Sequence, residues 1–197
     1  MVADDLFTRF QQRLTAVGGE AHTVENFAQA ADLIAAHPSL TASVGTRFIA
    51  SREIVVPPQF EQRPVGGSIL PLLHARNIAI IEAGEPASVA DAPAGLTDAE
   101  LAIAETGSVL LAENSLAARV VSMLTITHFV LLTTDKLVPM LDDAAKVLQQ
   151  LTGQGPDQRH YISFVTGPSR TADIERTLTI GVQGPKALCV IVVNNPS

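Results

Sequence analysis

One cysteine stands in a chain of 197 residues, with no tryptophan and a single tyrosine. A lone thiol rules out disulfides within the chain. An iron–sulfur cluster needs several thiolates, so none is expected on this chain alone. Aromatic residues make up only 4% of the chain while apolar residues reach 47%, so the core is expected to be aliphatic. Basic residues are outnumbered too, 13 Lys and Arg against 20 Asp and Glu, for a net charge of −7. Without a Lys/Arg cluster there is no stripe for a nucleic-acid backbone, and the acidic surplus names no partner. No uncharged apolar run approaches the ~20 residues of a membrane-spanning helix. The opening Met1-Val2-Ala3-Asp4-Asp5 is acidic and lacks the apolar stretch of a signal peptide, so a cytoplasmic protein is expected. The five histidines, His22, His37, His74, His128 and His160, show no metal-site spacing, and no structural metal is expected. Cys189 sits inside an apolar run and reads as a buried, inert thiol.

Against these absences the chain carries legible periodicity. Leu6, Phe7, Phe10, Leu14 and Val17 recur at three- and four-residue steps and stop at Gly18-Gly19, which predicts a first helix. Ala21 to Val24 suits a short strand, and Phe27, Ala30, Ala31 and Ile34 mark a second helix ending at Pro38. Residues 1–40 are thus expected to form an N-terminal helical appendage or to pack on a sheet face. Residues 41–76 contain Pro57-Pro58, Pro64, Gly66-Gly67 and Pro71, and an irregular, loop-rich connection with short helical pieces is expected there. Residues 77–197 are expected to form the α/β core. Strands are expected at Ile78 to Ala83, Thr127 to Thr133, Tyr161 to Thr166 and Ala187 to Val193. Between them, Ser115 caps a short helix. Asp135 and Pro139 open another, with Leu137, Leu141, Ala144, Leu148 and Leu151 as its stripe, and a last helix starts at Thr171. Strands alternating with helices predict an α/β fold: an open, mostly parallel sheet with helices on both faces, in one compact domain.

Two segments carry candidate chemistry. Gly167-Pro168-Ser169-Arg170-Thr171 follows an apolar strand and precedes helix-like sequence. One reading is an anion cradle at the strand's carboxyl end, with Gly167 for close backbone approach, the hydroxyls of Ser169 and Thr171, and the Arg170 guanidinium. The other is a helix that satisfies itself, Thr171 capping it while Asp173 and Glu175 complement its dipole. Each acid would oppose a phosphate by roughly 2 kcal/mol at ~7 Å and an effective dielectric of ~20. The second segment is Glu105-Thr106-Gly107-Ser108, a tight turn between strand-like runs. There Glu105 is a candidate nucleophile or general base and the Gly107 N–H could steady negative charge. A hairpin glycine beside a solvent-facing Glu is the plainer alternative. Asn114 and Arg119 follow closely and are candidates for the same crevice or for the surface. Neither ligand nor cofactor is specified by these residues.

These residues also carry a resemblance. Ala102-Ile103-Ala104-Glu105-Thr106-Gly107-Ser108, then Gly167 to Glu175, then Gly181-Val182-Gln183-Gly184-Pro185, resemble the ordered motifs of the LUD-domain family over about Asn77 to Val193. The resemblance implies a sugar-phosphate isomerase and CoA-transferase-like α/β/α fold. It implies a role in oxidising L-lactate to pyruvate beside iron–sulfur partner proteins. A related subgroup fuses this domain to cysteine-rich segments; with one cysteine this chain resembles the stand-alone subgroup, whose redox centres would sit on partners. Glu105-Thr106-Gly107 is similar to the Glu-x-Gly of class I CoA transferases, an analogy across a superfold. The expectation is therefore an accessory protein of lactate utilisation with a small-anion pocket at the carboxyl ends of the strands. Its rival is a free-standing transferase, ligase or isomerase acting on a phosphorylated or CoA-linked molecule.

Overall fold

The structure, a computed structural model, describes residues 3–41, 52–171 and 179–194. The chain opens with α1 (Ala3–Ala16), β1 (Glu20–Val24), α2 (Phe27–Ala36) and a single turn, α3 (Pro38–Thr41). It continues through β2 (Glu53–Val56), α4 (Pro64–His74), β3 (Ala79–Glu82), α5 (Pro86–Val89) and β4 (Ala94–Asp98). Next come β5 (Leu101–Ile103), β6 (Ser108–Ala112), α6 (Leu116–Leu124), β7 (Thr127–Thr133) and β8 (Leu137–Val138). The last elements are α7 (Ala144–Thr152), β9 (Ile162–Val165), β10 (Arg170–Thr171), β11 (Thr179–Ile180) and β12 (Ala187–Val193).

Six strands pair in the order β1-β12-β7-β4-β2-β3, every neighbouring pair parallel. This is the expected open α/β sheet. Its central strands are buried on both faces, which is why Phe129-Val130-Leu131-Leu132 and Leu188 to Val193 read as unbroken apolar runs. Alternate residues feed different cores. Phe129, Leu131, Cys189 and Ile191 pack with Ala30, Ile34, Ile69 and Leu73 of α2 and α4. Val130, Leu132, Leu188 and Val190 pack with Phe10 and Leu14 of α1 and with a second sheet. That second sheet, β8-β5-β6-β9, is mostly antiparallel and carries α7 on its outer face.

Local chemistry sets the ends of the helices. The Asn26 side chain accepts from Gln29 N–H at the start of α2, and the Ser115 hydroxyl from Ala118 N–H at the start of α6. Pro64 occupies the first position of α4, where its missing N–H costs nothing.

Four expectations need correction. The N-terminal region is no appendage, because Glu20–Val24 pairs in register with Cys189–Val193 as an edge strand of the main sheet. Residues 41–76 are more regular than their prolines suggest. Ile54, Val55 and Val56 form an interior strand, and α4 runs through Pro71 because Val65, Ile69 and Leu73 bury its inner face; residues 42–51 lie outside the described residues. Leu137 is not helical. It pairs with Ala102 in the second sheet and buries its side chain, so the helix begins only at Ala144. Arg170 and Thr171 do not start a helix either, since they pair antiparallel with Ile180 and Thr179; residues 172–178 of that expected helix lie outside the described residues.

Candidate functional site

The two glycine bends meet at one end of the second sheet. Val109 pairs with Val165, and the hydroxyls of Ser108 and Thr166 lie 2.6 Å apart. Both glycines adopt positive φ, 70° at Gly107 and 79° at Gly167. Both also press against α1 and the turn that ends it. A Cβ on Gly107 would sit 2.5 Å from Leu14 N, and one on Gly167 would sit 2.9 Å from Val17 Cγ2. Arg170 donates to the carbonyl of Val17 and so anchors the end of the same helix. These residues share a neighbourhood because they pack against one helix.

Each candidate residue now has a place. The Glu105 carboxylate accepts from Leu141 N–H at 2.9 Å and braces the loop before α7. Thr106 has a buried hydroxyl without a partner among the described residues. Asn114 lies beyond the far end of β6, where it accepts from His160 N–H (2.8 Å) and donates to the Gln158 carbonyl (2.7 Å). The Arg119 guanidinium stacks 4.7 Å from the Tyr161 ring centroid at that same far end. Asn114 and Arg119 therefore do not reach the Gly107 and Gly167 bends.

Gly167 and Ser169 line a cavity of about 190 Å³ with Ser122, His128, Gln183 and Gly184. It lies against the first residues of β7 and β12, at the amino rim of the parallel sheet, and not at the carboxyl rim where the Gly167 loop was expected to act. In its wall His128 is completely buried, with Nε2 2.9 Å from the Thr97 hydroxyl and Nδ1 unpartnered among the described residues. Burial pushes its pKa down to about 3, so the ring is neutral.

The carboxyl rim holds a larger cavity, about 340 Å³, lined by Phe27, Pro64, Val65, Ser68, Asp98, Thr133 and Lys136. Each residue follows or ends a parallel strand. Phe27 comes after β1, Pro64 to Ser68 after β2, Asp98 closes β4, and Thr133 and Lys136 close and follow β7. The chain leaves β2 toward β3 on one side, then returns to β4 and proceeds toward β7 and β12 on the other. Such a reversal of strand order opens the crevice in which α/β sheets hold ligands. Arg63, next to Pro64 in the chain, fixes the Asp98 of the cavity's lining. Its guanidinium donates to Asp98 at 2.8 Å and makes a two-pronged contact with Glu113 at 2.6 and 3.0 Å. Partial burial works against the Arg63 charge, but the Glu113 and Asp98 carboxylates outweigh it and hold the guanidinium firmly protonated. Lys136 is half-buried and gives one N–H to the Ala99 carbonyl at 3.0 Å, leaving two donors for other acceptors.

No motif in the sequence marks this cavity. Its lining takes one to three residues from each of four segments, between Phe27 and Lys136. The signal that could have found it is topological: the residue just past each parallel strand.

A parallel α/β sheet with its open crevice at the carboxyl rim and a second sheet packed on one face defines the class of fold. A crystal structure of a DUF162 family protein from Deinococcus radiodurans has the same fold, with a TM-score of 0.68 over 98% of this chain and 99% of that one at 20% identity. The profile of the LUD domain matches residues 7–193, and the chain belongs to the LUD-domain family. It is 38% identical over 111 residues to lactate utilization protein C of Shouchella clausii, covering 56% of this chain and 47% of that protein. It is 36% identical over 115 residues to the protein of the same name from Bacillus velezensis, covering 58% and 46%. The chain thus spans about half the length of the curated relatives it matches.

Proposed function

We propose that this protein is an accessory component of L-lactate utilisation that holds a small carboxylate in the carboxyl-rim cavity and works beside iron–sulfur partner proteins. The observation that carries the ligand reading is the Lys136 ammonium, with two free donors, in the wall of a 340 Å³ cavity at the reversal of strand order. Arg63 spends its charge on Asp98 and Glu113, so among the described residues lining this cavity Lys136 is the cation left for a ligand. A singly charged carboxylate suits one ammonium. The names of the relatives support the pathway. The Gly167 loop enters this reading as support for α1, since Arg170 is bound to the Val17 carbonyl.

Calorimetric titration of the purified protein with L-lactate and pyruvate tests the ligand. Binding of either, weakened at least ~10-fold in Lys136→Ala, is expected from loss of one charge-assisted contact (~1.4 kcal/mol). Equal affinity in the variant would overturn the site. Normal growth of a deletion strain on L-lactate as sole carbon source would overturn the pathway.

A further inference from the structure

The sequence places Glu20 and His22 two apart on β1, so both side chains face one side of the sheet. Register then sets Glu20 directly opposite Cys189 of β12. All three ligand atoms, a Glu20 carboxylate oxygen, a His22 ring nitrogen and Cys189 Sγ, lie within 4.8 Å of one another. His22 Nε2 and Glu20 Oε2 are 3.7 Å apart, which is too long for a hydrogen bond. That separation is close to the ~3.4 Å that two such atoms adopt when they share a tetrahedral zinc ion through bonds of about 2.0–2.1 Å.

We infer that Glu20, His22 and Cys189 form a zinc site on the edge of the sheet, with a fourth position open to solvent. The donor set specifies the metal, since thiolate, imidazole and carboxylate together suit Zn²⁺ and disfavour Mg²⁺ and Ca²⁺, which take oxygen ligands. The burial gradient suits capture. Cys189 is 1% exposed and fixed by the core, while the side chains of His22 and Glu20 are 41% and 54% exposed and free to close by the ångström the geometry requires. His37 stands nearby at the end of α2, close enough for charge on Glu20 and His22 to bear on its ring, and its Nδ1 is engaged by Ser39. The site lies toward the amino rim on the α2 face. It is separate from the carboxyl-rim cavity and from the His128 cavity, which lies on the opposite face. The inference does not depend on the lactate reading.

Cobalt substitution tests it. The full chain, freed of metal by chelation, is titrated with Co²⁺ and followed by absorption. One equivalent should produce tetrahedral visible bands with a thiolate-to-cobalt charge-transfer band in the near ultraviolet, and Zn²⁺ should remove both. Cys189→Ser should abolish the charge-transfer band. Because Cys189 is buried and that variant could misfold, the exposed variants His22→Ala and Glu20→Ala provide the second arm. Each should keep the wild-type circular dichroism and weaken Co²⁺ binding at least ~10-fold. A spectrum without the charge-transfer band, or wild-type affinity in His22→Ala and Glu20→Ala, would overturn the assignment.

Discussion

The amino and carboxyl rims of the parallel sheet are built on different physical principles. At the amino rim, Gly107 and Gly167 lie so close to α1 and its end that no side chain fits, and His128 is completely buried in the wall of the cavity that Gly167 lines. At the carboxyl rim, Asp98 and Lys136 line an open cavity, Arg63 and Glu113 are tied to Asp98 in one ion-pair network, and these groups are charged and partly wetted. The glycines of the two conspicuous bends therefore sit where backbone and α1 pack tightest, and the inconspicuous residues line the larger of the two cavities. Glycine-rich signatures report close approach of backbone. Whether the approaching group is a ligand or a helix is decided by the tertiary structure, and here α1 is that group.

Substitutions can break this contrast. The largest effect is expected for Gly107→Ala. Its Cβ would meet Leu14 N at 2.5 Å in a backbone conformation that L-residues disfavour, so a loss of about 3 kcal/mol is expected in urea unfolding. Gly84→Ala, whose nearest neighbour would be 3.9 Å away, should change stability by less than about 0.5 kcal/mol. Equal stabilities would dissolve the distinction between packed bends and open ones.

His128 provides the next test. Its folded pKa of about 3 lies below the unfolded value near 6.5, so between these pH values the unfolded chain binds the extra proton. Stability should be intact above pH 6.5 and fall by up to about 1.4 kcal/mol per pH unit on acidification. At pH 5 the His128 contribution is about 2 kcal/mol. His128→Asn should flatten that part of the slope in parallel unfolding series; an unchanged slope would show that the amino rim is not sealed.

At the carboxyl rim, Arg63→Ala should cost about 1–2 kcal/mol. This is less than for a fully buried pair because the Arg63 side chain is 30% exposed, and the Asp98 and Glu113 carboxylates can rehydrate. Replacing Glu113 with Gln in the same background should cost little more, the coupling expected of one network. The smallest effect belongs to Glu105→Gln. The amide oxygen can still accept from Leu141 N–H, so stability should move by less than about 0.5 kcal/mol. A large loss of activity with unchanged stability in that variant would restore a chemical role to the Glu105 turn and place function at the amino rim as well.

Much of the fold was legible because burial on both faces writes continuous apolar runs. Thr127–Thr133 and Ala187–Val193 coincide with β7 and β12. The errors fall where local and tertiary signals disagree. Leu137 continues a helical stripe, yet its backbone is used by β5. Ile54-Val55-Val56 is short and runs straight into Pro57-Pro58, yet two neighbouring strands make it interior. The candidate site was less legible because neither cavity rests on contiguous sequence. Gly167, Ser169 and Gln183 share the His128 cavity, while the carboxyl-rim cavity collects its residues from four separate segments. The Glu20, His22 and Cys189 cluster depends wholly on the pairing of the first strand with the last.

That pairing also makes β12 a partition. Leu188 faces the histidine-lined chamber and Cys189, its immediate neighbour, faces the proposed zinc ligands. Side chains on a strand change sides with every step, so a one-residue slip of this strand against its neighbours would swap the two compartments' contents. Each compartment can drift in composition by point substitution. Neither tolerates a slip in the pairing of that strand.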